Sequence, residues 1–261
     1  MKEQNHIIMI HGTWCHSDIW GEFKTEFVNR GFTVHTPTLR YHDLPFEECA
    51  QKVGTVGLKD YVDDLSKLVE SLDSPPLILG HSLGCVMAQL LAARHPNKGL
   101  ILMGPAPTYG MFPFYPTMFK AFLKHFLQWG YWKKPLYPDW EALIRYIMNI
   151  QPLESQKEIY EQLVPESGRV YTEMALWFLD PKRSSKVNFN AITSPVLIIS
   201  GTEDKITVSR IARLTAAKYE RSTFVLLSGS DHMYLMGKYM PTTLNYIDCW
   251  LKDNGLTPDT M

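Results

Sequence analysis

The chain has 261 residues, 45% hydrophobic and 20% charged, which is typical of a globular protein with a large core. A formal net charge of −1 provides no excess positive charge for nucleic acid or an anionic membrane surface, so we expect neither as a partner. No signal-peptide layout or uninterrupted bilayer-length apolar stretch is present, and the four cysteines form no CxxC pair. We therefore expect a cytoplasmic protein with reduced thiols, a monomer or homodimer without stable membrane insertion.

Apolar, β-branched runs alternate with helical patterns in the first part of the chain. In chain order, strands are predicted at 6–10, 32–35, 76–79 and 99–103, and helices at 17–30, 59–72 and 83–94. The alternation returns late in the chain, with strands at 195–200 and 223–227 and helices at 208–219 and 238–251. This order predicts a mostly parallel sheet of about six strands flanked by helices.

Residues 105–187 interrupt that alternation. The segment has no clear period-2 run, is dense in aromatic residues, Met and Pro, and shows helical spacing at 117–129, 139–150, 155–163 and 171–179. We predict a helical insertion between two parts of a core, 1–104 and 188–261. Some of its aromatic side chains, with Phe119 and Trp129 as candidates, are expected to line an apolar pocket, although packing onto the core is an equally good explanation.

A Gly-x-Ser-x-Gly motif spans Gly80 to Gly84, between a predicted strand and a predicted helix. Such a tight turn pushes Ser82 toward disfavoured backbone angles and leaves no room for side chains beside it, which the two glycines satisfy. The N–H of Leu83, in the first turn of the helix, would face the reaction site. The motif alone is weak, because on the order of 0.1 chance matches are expected in a chain of this length.

Three other predicted strands end in residues that a nucleophilic serine requires. A serine needs a base held in one tautomer by an acceptor, and it needs N–H donors aimed at the developing oxyanion. The carboxyl ends of parallel strands meet at one sheet edge, so we expect these residues to converge. The three strand ends are His11-Gly12-Thr13-Trp14, Gly201-Thr202-Glu203-Asp204 and Asp231-His232-Met233.

The elbow, these turns and the order Ser, acid, His together resemble the α/β-hydrolase superfamily over the whole chain. The short first strand that runs straight into His-Gly-Thr is similar to compact esterases and their hydroxynitrile-lyase relatives. The resemblance implies the α/β-hydrolase fold, with Ser82 as nucleophile, His232 as base, Asp204 as acid and the N–H groups of Thr13 and Leu83 as the oxyanion hole. It also implies a cap, or lid, at 105–187. This segment is similar to the superfamily's cap only in its position along the chain and in its helical character.

Several assignments stay open at this point. Glu203 and Asp231 compete with Asp204, although Glu203 precedes the turn's usual carboxylate and Asp231 adjoins His232. We expect His81 to pack beside the elbow and His11 to hold the loop that presents Thr13. Trp14 and Met233 are candidate pocket residues. The sequence has no HExxH motif, no ligand spacing and no phosphate loop, so we predict no metal and no cofactor.

These residues predict a carboxylesterase that forms an acyl-enzyme on Ser82 and cleaves an ester of an apolar or medium-sized small molecule. A thioesterase, an amidase, a carbon–carbon bond hydrolase or a hydroxynitrile lyase would use the same residues. A small-molecule receptor, in which Ser82 only contacts or slowly turns over its ligand, is the alternative from a different class.

Overall fold

The computed structural model describes residues 4–112 and 115–258, and its centre is a six-stranded sheet in which every pairing is parallel. In chain order the strands are β1 (His6–Ile10), β2 (Thr33–His35), β3 (Leu77–His81), β4 (Gly99–Met103), β5 (Pro135–Leu136), β6 (Glu166–Ser167), β7 (Val196–Gly201) and β8 (Ser222–Leu227). The sheet order is β2-β1-β3-β4-β7-β8, while β5 and β6 form a separate antiparallel pair.

Helices connect these strands. They are α1 (Gly21–Asn29), α2 (Phe46–Val53), α3 (Leu58–Glu70), α4 (Gly84–Ala92), α5 (Pro116–Phe126), α6 (Trp140–Ala142), α7 (Leu153–Gln162), α8 (Gly168–Ala175), α9 (Ser209–Ala216) and α10 (Met240–Asp253). Within residues 4–112 and 115–258, none of the helices combines the length and apolar composition that crossing a bilayer requires.

The four inner strands explain the apolar runs in the sequence. Every residue of β1, β3, β4 and β7 is buried, whereas the edge strands β2 and β8 include exposed positions. Helices cover both faces of a parallel sheet, so inner strands become continuously apolar rather than alternating. The predicted fold class, a mostly parallel sheet of about six strands flanked by helices, is confirmed.

The sequence-based interpretation missed two features and simplified a third. Helix α2 was not predicted, although Phe46, Cys49, Ala50 and Val53 have helical spacing. The pair β5–β6 has two residues in each strand, too few to show periodicity. The helix expected at 139–150 is the short α6 followed by a π-helical turn at Leu143–Ile147.

The sheet topology brings the loops that follow five strands to one edge. Parallel pairing aligns the carboxyl ends of β1, β3, β4, β7 and β8, and the chain leaves β3 at His81 directly into Ser82. The segment between β4 and β7 carries α5 to α8, and side chains of this segment line cavities together with Ser82. The residues predicted to react therefore lie between the sheet and the inserted segment.

Candidate active site

Ser82 occupies a strained turn between β3 and α4. Its φ is +55°, in the left-handed region that non-glycine residues rarely adopt. The turn is fixed from both sides, because Ser82 N–H donates to the Met103 carbonyl at 2.9 Å and the Ser82 carbonyl accepts from Cys85 N–H at 3.0 Å. A Cβ on Gly84 would lie 2.1 Å from the Ile10 carbonyl oxygen, so only glycine fits there. The local geometry is that of the predicted elbow.

His232 and Asp204 form a buried pair at the ends of β8 and β7. The Nδ1 of His232 lies 2.8 Å from Oδ2 of Asp204, and the histidine side chain is 2% exposed. With Nδ1–H donated to the carboxylate, Nε2 is the nitrogen left to accept a proton. The Nε2 atom has no hydrogen-bond partner among the described residues, and His232 lines the same cavity as Ser82.

The carboxylate of Asp204 is held by donors on both oxygens. Oδ1 accepts the N–H groups of Ile206 at 2.9 Å and Thr207 at 2.8 Å. Oδ2 accepts from the Thr207 hydroxyl at 2.8 Å, from His232 and, in a short hydrogen bond, from the Tyr234 hydroxyl. Burial alone would raise the pKa of Asp204, but the attraction of His232 and the hydrogen bonds outweigh it, so the pKa lies below its ordinary value. The group is therefore an ionised acceptor.

The other two carboxylates do not contact His232 in this way. Glu203 is exposed, and its carbonyl accepts from Asn149. Asp231 turns toward the inserted segment, where it accepts from Ile150 N–H at 3.2 Å and from the Gln151 amide at 2.9 Å. Of the three acids considered, Asp204 alone pairs with the imidazole.

Two further histidines support the loops around Ser82. His81 donates from Nε2 to the His232 carbonyl at 2.9 Å, and the two rings are 4.7 Å apart. His11 donates from Nδ1 to the Gly12 carbonyl at 2.9 Å and accepts the Leu39 N–H at Nε2. Burial lowers the pKa of each ring to about 3, so both are neutral near pH 7. His81 thus packs beside the elbow and His11 contacts the loop that carries Thr13, as the sequence analysis expects.

The loop after β1 approaches the elbow closely. A Cβ on Gly12 would lie 2.9 Å from the Ser82 Cβ, so glycine permits this approach. Thr13 lines both cavities that contain Ser82, and Leu83 lines one of them. Neither backbone N–H, of Thr13 or of Leu83, has an acceptor in the described part of the chain. Two unused N–H donors therefore lie beside Ser82.

Two apolar cavities meet at Ser82. The first, which we call the α5–α8 cavity, is lined by side chains of those two helices. The second, which His232 lines, we call the His232 cavity. Residues that line only the α5–α8 cavity are Leu83, Ala106, Met118, Phe119, Phe126, Met174, Ala175 and Thr207. Residues that line only the His232 cavity are Gly12, Trp14, Cys15, His81, Leu143, Ile147, Ile159, Leu163, His232 and Met233.

Three of the four candidate pocket residues line a cavity beside Ser82. Phe119 lines the α5–α8 cavity, and Trp14 and Met233 line the His232 cavity. Trp129 does not line either cavity: its side chain is 86% exposed and packs edge-on against Trp132. The expectation that Trp129 lines the pocket is corrected, because it follows the end of α5 and faces away from Ser82's cavities.

The loop after β1 is held by the inserted segment. Trp14 has a φ of +64°, its indole N–H donates to the Leu136 carbonyl at 2.8 Å, and its carbonyl accepts from Val164 N–H at 2.7 Å. The hydroxyls of Thr13 and Tyr171 are 2.7 Å apart. Contacts from β5, α8 and the residues before β6 therefore fix both Thr13 and Trp14.

Several residues in the site were missed by the sequence interpretation, and three of them make informative contacts. Thr207 and Tyr234 both contact Asp204, and Tyr171 lines both cavities. Thr207 and Tyr234 each lie within three residues of a predicted site residue, so proximity in sequence was an available signal. Nothing in the sequence distinguishes Tyr171 from the other aromatic residues of its segment.

The Cys15 thiol also lines the His232 cavity. Burial raises the pKa of the Cys15 thiol to about 12, so the thiolate is scarce at neutral pH. Among residues 4–112 and 115–258, no three His, Cys, Asp or Glu side chains are grouped so that they could hold a metal ion.

Comparisons with solved structures agree with the fold. A monoacylglycerol lipase from Paleococcus ferrophilus is 19% identical, with a TM-score of 0.69 over 97% of this chain and 96% of that one. A pyrethroid hydrolase from Sphingobium faniae JZ-2 is 20% identical, with a TM-score of 0.69 over 95% and 97%. A variant of tomato methylketone synthase I, complexed with β-ketoheptanoate, is 15% identical, with a TM-score of 0.72 over 95% and 98%.

At these identities the structural similarity establishes the fold alone. A comparison with curated proteins gives no match. The model of the alpha/beta hydrolase family matches residues 7–238, which covers the elbow and the ends of β1, β7 and β8. The chain belongs to the alpha/beta hydrolase family.

Proposed function

We propose that this protein is a serine hydrolase that cleaves a carboxylic ester of an apolar or medium-sized small molecule through an acyl-enzyme on Ser82. The observation that carries the proposal is the His232–Asp204 pair, whose uncommitted Nε2 lines the same cavity as the strained Ser82. An accepting imidazole nitrogen beside a serine hydroxyl is what activation of that hydroxyl requires.

The proposed reaction begins when Ser82 Oγ attacks the ester carbonyl and His232 Nε2 takes the serine proton. The N–H groups of Thr13 and Leu83 stabilise the oxyanion, and Asp204 stabilises the imidazolium without itself taking the proton. His232 then gives the proton to the departing alcohol. Water attacks the acyl-enzyme by the same route, which releases the acid and restores Ser82.

We also propose that residues 105–187 form a cap over a core made of 1–104 and 188–261. Support comes from the cavity linings, since α5, α7 and α8 contribute side chains beside Ser82. The resulting site is apolar and suits a neutral small molecule. Several solved structures of similar fold are described as a lipase, an esterase or a pyrethroid hydrolase, and the first two favour ester over amide or carbon–carbon bond cleavage.

The test is labelling with a fluorophosphonate, followed by location of the adduct and assay of an ester panel with wild type and Ser82→Ala. We expect an adduct on Ser82, multiple turnovers, and a loss of about 10⁴-fold or more in kcat for the variant. Hydrolysis that survives Ser82→Ala would contradict the proposal. A single burst without turnover would favour the receptor alternative, and thioester or amide cleavage above ester cleavage would favour the other acyl-transfer chemistries.

A further inference from the structure

We propose that a groove between the inserted segment and helices α3 and α4 binds a second ligand, a small soluble molecule that carries two or more phosphate groups. The groove is formed by the start of α3, the C-terminal end of α4, helix α8 and residues 182–188, and we call it the basic groove. This inference goes beyond the proposed hydrolase function and does not depend on the chemistry of Ser82.

The basic groove concentrates positive charge in a chain whose formal net charge is −1. Its lining includes six cationic side chains and two acidic ones. The cationic residues are Lys59, Arg94, Arg169, Lys182, Arg183 and Lys186. A cleft lined mainly by one sign of charge focuses the electrostatic potential and attracts ions of the opposite sign. The basic groove is therefore suited to an anion.

Both acidic residues of the groove are already bound by the protein. Glu173 is buried, and its carboxylate accepts from Arg169 Nε at 2.9 Å and from the Leu58 N–H at 2.7 Å. The Asp60 carboxylate accepts the Gly57 N–H at 2.8 Å. These two acids therefore compensate Arg169 and the N-terminus of α3 rather than the other cationic side chains of the groove.

Three of the cationic side chains have no carboxylate partner in the part of the chain that the structure describes. They are Lys182, Arg183 and Lys186. All three residues are exposed, whereas Lys59 and Arg94 both contact Asp63. Like charges gathered without a counter-ion repel one another, and a bound anion with several charges relieves that repulsion.

A turn that the protein holds from two sides carries these three residues. The Asp180 carboxylate accepts the Lys182 N–H at 3.0 Å. The buried Ser185 hydroxyl donates to the Glu173 carbonyl at 2.8 Å. Arg183 has a φ of +51°, and backbone strain of this kind is found at ligand clamps, among other places. A turn that is already fixed loses little conformational entropy when it binds an anion.

Size and charge favour a small molecule with more than one phosphate group. The basic groove holds about 500 Å³, within the range of roughly 300–1,000 Å³ that is typical of small-molecule sites. One phosphate group carries about −1.5 to −2 charges near pH 7, fewer than the three unpartnered cations. Among the described residues, no Asp, Glu, Lys or Arg lines either cavity beside Ser82, so this charged molecule is not the ester substrate.

The basic groove is separate from the cavities at Ser82, although helix α8 contributes to both. Arg169 and Glu173 of α8 line the groove. Two residues of the same helix, Met174 and Ala175, line the α5–α8 cavity. The opposite wall of the groove comes from α3 and α4, so a ligand between the walls holds the inserted segment against these helices. Because binding to the folded state stabilises that state, the ligand should raise the Tm.

The test is titration of the whole protein with inorganic pyrophosphate at constant ionic strength, by calorimetry and by thermal unfolding. We expect one saturable site, a higher Tm, and binding of orthophosphate that is weaker by about tenfold or more. Lys182→Gln/Lys186→Gln removes two charges of the groove and should weaken pyrophosphate binding by about tenfold or more. The matched control, Lys24→Gln/Lys252→Gln, removes two exposed lysine charges from α1 and α10 and should bind within about twofold of wild type.

A further variant separates binding from stability. Asparagine tolerates left-handed backbone angles better than arginine, so Arg183→Asn relieves strain while it removes a charge and a cation–π contact with Tyr109. We expect little change in the Tm of the unliganded protein and binding of pyrophosphate that is weaker by about fivefold. A lower Tm with unchanged affinity would mean that Arg183 only supports the fold.

Three results would overturn the proposal. One is equal weakening by the two double variants, because binding would then reflect the charge of the whole surface. Another is Arg183→Asn with unchanged affinity. The third is the absence of saturable pyrophosphate binding, including the case in which the protein instead sediments with phosphatidylglycerol vesicles, since the anion would then be a lipid surface. None of these measurements requires ester hydrolysis, so failure of the proposed function is distinguishable from failure of this inference.

Discussion

The sheet and the inserted segment are built on different principles. Inner strands β1, β3, β4 and β7 are wholly buried, and the residues at their ends hold one another through hydrogen bonds from several directions. The segment 105–187 has short helices, a π-helical turn and large apolar side chains that face outward, including Leu127 at 76% exposed and Trp129 at 86%. The comparison teaches that the sheet fixes the groups proposed to react, while the segment shapes the cavities beside them.

The largest effect should come from the sheet side of the site. Asp204→Asn removes the negative charge that His232 contacts but preserves the size of the side chain. We expect kcat to fall by about 10⁴-fold with a small change in KM, because the asparagine amide favours the wrong imidazole tautomer. The measurement is steady-state kinetics. Glu203→Gln, on the exposed neighbouring carboxylate, is the matched control and should stay within twofold of wild type.

A second prediction compares the stability of the two regions. Gly84→Ala places a Cβ 2.1 Å from the Ile10 carbonyl oxygen, and we expect a loss of about 3 kcal/mol or more in the free energy of unfolding, measured in urea. Gly110→Ala, in the inserted segment, meets nothing within 4 Å and bears only the strain of a φ of +85°, so a loss of about 1 kcal/mol is expected. Equal losses would show that the two regions are equally constrained.

A third prediction concerns the pH dependence of activity. Tyr234→Phe removes one donor from Asp204, which raises the pKa of that carboxyl toward its ordinary value. Asp204 must be ionised, so activity would be lost at a higher pH as the solution is acidified. We expect kcat/KM near pH 7 to fall by about tenfold, since a hydrogen bond to a charged group is worth about 1.5 kcal/mol.

The matched control for that substitution is Tyr61→Phe. Tyr61 is also fully buried and donates to a carboxylate, that of Glu166, at 2.8 Å, but it lines neither cavity beside Ser82. Its loss should lower stability without moving the acid limb of the kcat/KM profile. If both variants shift the profile alike, Tyr234 has no specific positioning role.

The smallest effect should come from the segment's polar contact with the loop after β1. Tyr171→Phe keeps the ring and removes the hydroxyl that contacts Thr13. We expect kcat/KM to fall by about fivefold, from loss of a hydrogen bond worth about 1 kcal/mol. A fall as large as that for Asp204→Asn would contradict the proposed difference between the sheet and the segment, because the segment would then control the chemical step itself.

The sheet could be predicted from the sequence more completely than the inserted segment. The strands and the elbow could be predicted because burial on both faces makes a strand uniformly apolar, and a close approach such as that of Gly84 admits only one residue type. Thr13, Ser82, Leu83, Asp204 and His232 could be nominated because parallel strands bring their ends together.

The rest depends on tertiary placement, which sequence periodicity does not report. Trp129 and Phe119 have the same composition signal, yet one is 86% exposed and the other lines a cavity. Tyr171 contacts Thr13 across 158 residues, a pairing that no local pattern encodes. The π-helical turn at Leu143–Ile147 likewise shares its apolar spacing with an ordinary α-helix.

The backbone of Trp14 has a consequence for cooperativity. A tryptophan at a φ of +64° costs about 1–3 kcal/mol relative to relaxed backbone, and the hydrogen bonds that offset this cost reach Leu136 and Val164 in the inserted segment. The loop and the segment are thereby thermodynamically linked, because whatever displaces the segment from the sheet also breaks the hydrogen bonds that offset the strain at Trp14. If the Thr13 N–H serves the proposed oxyanion hole, displacement of the segment would also free the loop that carries this donor, and we expect ester hydrolysis to slow.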